Sequence, residues 1–222
     1  PEPFETFEVL VRLRGDLGEP LLPSRFIPAA ERFQLASRID RHVIDRGLTW
    51  LETDPRALGV HLNINLSAST LADEDYAQFL RQRLKGSSVE PRQICLEITE
   101  TSAVRDLDHA RQLIAQFKAM GVRFALDDFG TGFCSFAYLR DLDVDVFKID
   151  GSFVRDFDTN ELSLAIIKSI VEIARVLGKQ TVAESVEDPR LGRGLQELGV
   201  DAVQGFAFHR PEPLRLLLAH AA

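Results

Sequence analysis

Along this chain the apolar positions switch repeatedly between two rhythms. Short apolar runs rich in β-branched and aromatic residues alternate with longer stretches in which apolar residues recur every three or four positions, as on one face of a helix. The strand-type runs fall at residues 7–13, 60–66, 94–99, at the opening of 124–133, and at 147–150, 181–185 and 201–206. Between them the spacing predicts helices over 38–51, from Ser67 or Ser69 to Leu84, through Ala110, Leu113, Ile114, Phe117 and Met120, over 162–177 and over 189–198. Gly178 suits a helix end and Pro189 a first turn. The Gly- and Pro-rich stretch 14–28 reads as a loop leading into helix through about Leu35. A short helical segment is expected around 136–139, and 214–221 closes the chain as a helix.

Seven strands alternating with helices imply a parallel sheet, either open or closed into a barrel. Polar residues stand near the carboxyl end of nearly every run: Glu8 or Arg12, Asn65, Glu97, Asp127, Lys148, Glu184 and Gln204. An open sheet gathers its ligand at one crevice, whereas a barrel collects side chains from every strand around one rim. An α/β barrel one strand short of eight is therefore predicted. With no Pro/Ser linker or low-complexity tract, residues 1–222 read as a single domain.

The stretch Phe124-Ala-Leu-Asp-Asp-Phe-Gly-Thr-Gly-Phe133, echoed by Phe147-Lys-Ile-Asp150, concentrates the chemistry. Asp127 and Asp128 are adjacent, so in an extended strand their side chains would point to opposite faces. Both reach one site only where the strand gives way to a loop, for which Gly130 and Gly132 are suited. Glu8, Asn65, Glu97, Asp127, Asp128 and Glu184 all offer oxygen, with no Cys or His among them, and such a set selects a hard ion, magnesium or manganese with calcium as an alternative, over zinc or iron. Five carboxylates in one basin call for two ions, which at roughly 3.5–4 Å separation bind a phosphoryl oxygen and activate a water. Lys148 would hold that water or neutralise the developing charge, and Arg12 a phosphate oxygen. A single acid at a strand end is usually a cap, and Asp150 could be only that; six donors in register argue otherwise. Asp128-Phe-Gly130 matches a kinase tripeptide without its companion loops, so that match is chance.

Composition narrows the partners. A formal charge of -8 over 222 residues argues against nucleic-acid polymers and anionic membranes. Two cysteines, Cys95 in a strand and Cys134 in a loop, do not make a disulfide framework. His42, His61, His109, His209 and His220 share no metal spacing and read as surface or locally bonded residues, and Trp50 as core. No apolar run is long enough to cross a bilayer. A cytoplasmic domain is expected, free-standing or cut from a larger, membrane-anchored sensor with regulatory domains.

Taken together, Glu8-Val-Leu-Val-Arg12, Phe26-Ile-Pro-Ala-Ala-Glu31, Asn65-Leu-Ser67, Leu96-Glu-Ile-Thr-Glu100, Asp127-Asp-Phe-Gly-Thr-Gly132, Lys148-Ile-Asp150, Ala183-Glu-Ser-Val-Glu187 and Gln204-Gly-Phe206 stand in the order of one family's motifs. The chain resembles the EAL-domain cyclic di-GMP phosphodiesterases over nearly its whole length. The resemblance implies a modified TIM (β/α)8 barrel with an antiparallel opening strand, that strand being missing here, and hydrolysis of cyclic di-GMP to linear pGpG using magnesium or manganese. It further implies Glu8, Asn65, Glu97 and Asp127 as ligands of one ion, Asp127, Asp128 and Glu184 as ligands of a second, and Lys148 and Gln204 as holders of the water. Arg12, Leu10 and Gln204 fall at substrate-contacting positions. Glu100 matches the glutamate that steadies the loop from Asp128 to Ser135, a loop tied in the family to dimerisation, while Glu187 and Asp150 are expected behind the ligands.

Three departures stand out. Val9 replaces the motif alanine, and the chain begins almost on the first motif, where the family has a strand and turn before it: either that segment is removed or disordered, or the barrel is open at one seam. Ser185 occupies a position where glycine is usual, so a backbone of positive φ there would be strained. A cyclic di-GMP receptor without turnover is the alternative function; an enolase-like lyase, with carboxylates on magnesium and a Lys base, fits Asn65 and the adjacent Asp pair poorly.

Overall fold

The computed structural model describes residues 5–15, 18–132 and 136–217. In chain order they form β1 (Glu5–Val9), β2 (Leu13–Arg14), β3 (Pro20–Leu21), α1 (Pro23–Arg32), α2 (Ala36–Thr53), β4 (Val60–Asn65), α3 (Glu74–Lys85), β5 (Ile94–Thr99), α4 (Glu100–Arg105) and α5 (Leu107–Lys118). There follow β6 (Arg123–Phe129), β7 (Val146–Ile149), α6 (Gly151–Val154), α7 (Glu161–Leu177), β8 (Gln180–Ala183), α8 (Pro189–Glu197) and β9 (Ala202–Val203). Two compact units result, the first containing residues 1–98, 102–124 and 141–143, the second the remainder.

In the first unit the strand order is β1, β4, β5, all parallel, with β2 and β3 set apart as a small antiparallel hairpin. Leu62, Ile64, Ile94, Leu96 and Ile98 are fully buried, which is why β4 and β5 read as near-continuous apolar runs. Helix α2 lies close against β4: a β-carbon on Gly47 would come within 3.3 Å of Leu62 and Ile64. The register sets Asn65 opposite Glu97 and Glu8 opposite Asn63.

The second unit carries β6 from Ala125 onward, then β7, β8 and β9 in that order, again parallel. Phe129 stacks on Phe147 at a centroid distance of 4.7 Å. Helix α7 buries Ile167, Ile170 and Ala174, begins with the Asn160 side chain accepting from the Leu162 and Ser163 amides, and stops at Gly178 in the left-handed conformation (φ 66°). Asp201 Oδ2 accepts from both the amide and the hydroxyl of buried Thr181, which fixes the start of β9 against β8.

Seven strands with parallel pairing agree with the expected rhythm, and no antiparallel strand joins them among the described residues. Several boundaries differ. The first strand stops at Val9, so Arg12 lies beyond it, and the stretch 14–28 is not all loop: it holds the hairpin and the first turns of α1, with Pro28 inside the helix. Asp73, not Ser67 or Ser69, caps α3 by accepting from the Tyr76 amide. The last strand has shrunk to two residues, and near the end a 3-10 turn at Leu214–Leu216 stands where a helix to 221 was expected; residues 218–222, His220 among them, lie outside the described residues, as does Cys134. His61, read as a surface or locally bonded residue, is buried within β4.

Candidate metal centre

Each unit contributes acidic and amide side chains at its strand ends. In the first, Asn65 Nδ2 donates to Glu8 Oε1 at 2.8 Å, joining two expected ligands from neighbouring strands. Glu97, 1% exposed, accepts from Asn63 Nδ2 at 2.8 Å. Asn63 escaped the sequence reading, yet it stands two residues before Asn65 and so shares its face of the strand. The turn after β4 is braced by Asp40, whose Oδ2 accepts from the Ser67 amide (2.9 Å), the Ser67 hydroxyl (2.7 Å) and the Thr70 hydroxyl (2.5 Å). Burial raises the Asp40 carboxyl above its ordinary pKa, with the hydrogen bonds from Thr70 and Ser67 opposing that rise. Its signal was an acid on the buried stripe of α2, one turn from Ala36 and Ile44. Leu10 and Arg12 are exposed just past β1, Arg12 Nη1 donating to the Val11 carbonyl.

In the second unit the problem of two adjacent aspartates is solved by an extra residue. Leu126 pairs with Phe147 but Phe129 with Ile149, so three steps along β6 match two along β7. A bulge of this kind bends the strand and re-aims a side chain. Asp128 takes it up in the left-handed region at φ 53°, a conformation Asp adopts more readily than most residues. Carboxylate oxygens of Asp127, Asp128 and Glu184 lie within 4.8 Å of one another, a group that could hold a metal ion.

Lys148 is buried among them at 1% exposure, with Nζ 3.2 Å from Asp127 Oδ1 and 2.6 Å from Glu184 Oε1. The Asp127 contact is Coulombic rather than a directed hydrogen bond, which leaves Oδ1 a buried oxygen without a hydrogen-bond donor. Burial, followed by the negative charges of Asp127 and Asp150, raises the Asp128 carboxyl above its ordinary pKa, with Lys148 pulling the other way. An oxygen-only set, a buried carboxylate oxygen met by charge alone and mutual repulsion among the acids together fit a divalent cation.

The surrounding residues hold this arrangement. Glu100 accepts from the Gly130 amide at 3.0 Å and from the Tyr138 hydroxyl, anchoring the turn after Asp128. Tyr138 lacked any sequence signal, since its distance from Glu100 is closed only by the fold. Gly130 (φ 101°) stands in a conformation that a side chain would strain, and a β-carbon there would crowd the Phe153 ring at 3.0 Å. Asp150 caps α6 by accepting from the Ser152 amide at 2.8 Å. Gln204 is half-buried just beyond β9, and Glu187 is exposed.

Glu184 leaves β8 through a second irregularity. Gln204 donates its amide to Ala183 and accepts from Val186, whereas an unbroken parallel ladder would use residues two apart. The additional residue includes Ser185 at φ 55°. The strain expected of a side chain there is thus present, at a cost of roughly 1–2 kcal/mol for a residue with a β-carbon.

The family model of the EAL domain matches residues 3–211. The chain belongs to the EAL-domain family. Among its relatives, cyclic di-GMP phosphodiesterase PdeB of Shewanella oneidensis is 40% identical over 95% of this chain and 25% of its own length. The chain therefore spans about a quarter of that relative. The PaMucR phosphodiesterase in complex with c-di-GMP superposes with a TM-score of 0.89 at 34% identity, over 97% of this chain and 88% of that one. Klebsiella pneumoniae BlrP1 in a manganese and cyclic di-GMP complex gives 0.80 at 30% identity, over 93% and 51%. The likeness establishes the α/β fold of EAL domains, a modified TIM barrel, here with seven parallel strands and without the opening antiparallel one among the described residues. Within this EAL domain no described helix is long and apolar enough to cross a membrane.

Proposed function

We propose that this EAL domain hydrolyses cyclic di-GMP to linear 5′-pGpG with two divalent cations, magnesium or manganese. The observation that carries the reading is the buried Lys148 set against Asp127 and Glu184 beside Asp128, in a chain whose relatives are named cyclic di-GMP phosphodiesterases. Glu8, Asn65, Glu97 and Asp127 are assigned to one ion, and Asp127, Asp128 and Glu184 to the other. When bound, the cations lower the pKa of a water and offset charge on the phosphoryl oxygens.

The chain's own groups do the positioning. Lys148 Nζ, with Glu184, would orient the attacking water in line with the leaving oxygen, and its fixed charge offsets negative charge developing on phosphorus. Gln204 would hold the water from the neighbouring strand end. Arg12, free of the strand and exposed, would hold a phosphate oxygen, and Leu10 would contact the ligand. Glu100 and Asp150 keep the acidic strand ends in place through the turn after Asp128 and the start of α6.

Incubation of the purified protein with cyclic di-GMP and Mg2+ or Mn2+, read by chromatography, is expected to give pGpG and none in excess chelator. Binding of cyclic di-GMP without turnover in fully metal-loaded protein would instead establish the receptor alternative. Partners beyond the ligand, namely a second copy of the chain and regulatory domains of a longer cytoplasmic or membrane-anchored parent, belong to the same proposal.

A further inference from the structure

Ser185 sits next to a proposed ligand in a backbone conformation that glycine would occupy without strain, and its side chain is not idle there. A β-carbon built on Gly151 would lie 2.6 Å from both Cβ and Oγ of Ser185, so the two positions share space for one side chain only. Gly151 follows Asp150 directly and opens α6, two residues beyond the end of β7. Ser185 follows Glu184 at the end of β8, where the amide of Glu184 donates to the Ile149 carbonyl at 3.1 Å. The contact thus lies over the seam between the strand that delivers Lys148 and the strand end that delivers Glu184.

We infer that Ser185 is a positioning residue: its side chain, wedged on the bare backbone of Gly151, fixes the extra residue at the end of β8 and so aims Glu184 at Lys148 and the acidic pair. A glycine at 185 adopts the same φ at no steric cost but leaves the seam unfilled, free to shift by the width of a methyl group. Local strain is held here by packing and serves the placement of a ligand. The inference rests on the proposed metal centre and adds to it what sets the direction of one ligand.

Backbone comfort and ligand placement predict opposite signs, and this separates them. In the complete chain, S185G relieves the left-handed strain, so Tm is expected to stay level or rise, while affinity for Mn2+ alone, measured by calorimetry, falls about tenfold, the usual penalty for losing a residue that orients a ligand. S185A keeps the β-carbon wedge and is expected to bind Mn2+ within about twofold of wild type, with Tm level or lower. G151A should weaken Mn2+ binding in the Ser185 background and recover it when combined with S185G, because the new methyl group fills the vacated space. Unchanged Mn2+ affinity in S185G, or affinity that follows Tm across the series, overturns the inference alone. Absence of Mn2+ binding by the wild-type protein overturns the metal centre and the inference with it.

Discussion

The ammonium of Lys148 lies 2.6 Å from Glu184 Oε1, the lysine side chain 1% exposed and the glutamate 16%. Lys148 belongs to β7, and Glu184 immediately follows β8, whose residues Val182 and Ala183 pair with Lys148 and Ile149. A lysine in such surroundings persists because charges on both sides compensate its lost hydration, and removing one partner of a buried ion pair typically costs about 3–5 kcal/mol. Here the lysine also tempers a trio of carboxylates that would otherwise repel one another.

K148M should therefore act on stability and on cation response together. Without added metal its Tm is expected to fall by several degrees, and addition of MnCl2 should raise Tm by more than in wild type, since the cation then meets uncompensated carboxylates. On the proposed function, turnover of cyclic di-GMP should drop by about 100-fold or more, the scale of losing a general acid or base. Equal Mn2+ shifts in the two proteins would mean that Lys148 does not balance the acidic trio.

Glu100 accepts from the Gly130 amide and the Tyr138 hydroxyl at 2% exposure, so its donors matter as much as its charge. Y138F is expected to destabilise the protein by about 1–3 kcal/mol through the lost donor to a buried carboxylate. E100A should in addition speed hydrogen exchange at the Gly130 amide, measured by NMR, while amides in α7 keep their protection. Uniform loss of protection over both would point to general destabilisation instead.

Between α2 and α3, Arg83 forms a two-pronged pair with Glu52, Nη1 to Oε1 2.7 Å and Nη2 to Oε2 2.8 Å, and also reaches Asp45. The Arg83 hydrogen bonds lower the Glu52 carboxyl from 4.5 to about 2. A carboxyl depressed on folding contributes stability above its unfolded pKa and loses it as pH falls through the folded value. The stability gap between wild type and R83M is accordingly expected to be full above pH 5 and to close between about pH 4.5 and 2. The pair is partly solvated, so the gap should be about 1 kcal/mol rather than the full shift; denaturant melts at pH 6 and 2.5 measure it. A gap independent of pH would assign it to packing of the Arg83 stem.

Thr181 and Asp201 exchange hydrogen bonds at the start of β8 and β9: the Thr181 amide and hydroxyl donate to Asp201, and the Asp201 amide donates to the Thr181 hydroxyl at 3.1 Å. β9 is only two residues long, so this clasp carries much of its registration. T181V keeps shape and loses the hydroxyl, and is expected to cost about 1–3 kcal/mol and to raise exchange at the Gln204 amide. Protection of Gln204 unchanged from wild type would show that the ladder alone holds β9.

What the sequence disclosed follows the physics of each feature. β4, β5 and the opening of β6 were legible because strands buried on both faces must be apolar throughout, and α7 because Gly178 and a regular stripe mark its end and its face. The acidic strand ends were legible as chemistry, since burying so many charges without purpose is costly. Hidden were the features built by distance: Tyr138 on Glu100, Arg83 on Glu52, and Asn63 on Glu97 arise from side chains meeting across elements. Strand ends were also misplaced: the run 7–13 stays largely apolar beyond Val9, where the ladder stops, and in 201–206 the ladder ends at Val203 although Phe206 extends the pattern. The adjacency of Asp127 and Asp128 foretold an irregular backbone without saying which residue would turn. Asp128 turns, and at β8 the glycine preference of the family pointed to the same device at Ser185.

Both acidic strand ends contain one residue more than their ladders can use. Removing either surplus residue would let the pairing run on undisturbed, improving local regularity while rotating every side chain beyond it to the other face of the sheet. At these two points the number of residues, as much as their identity, sets how the chain is threaded through the proposed centre.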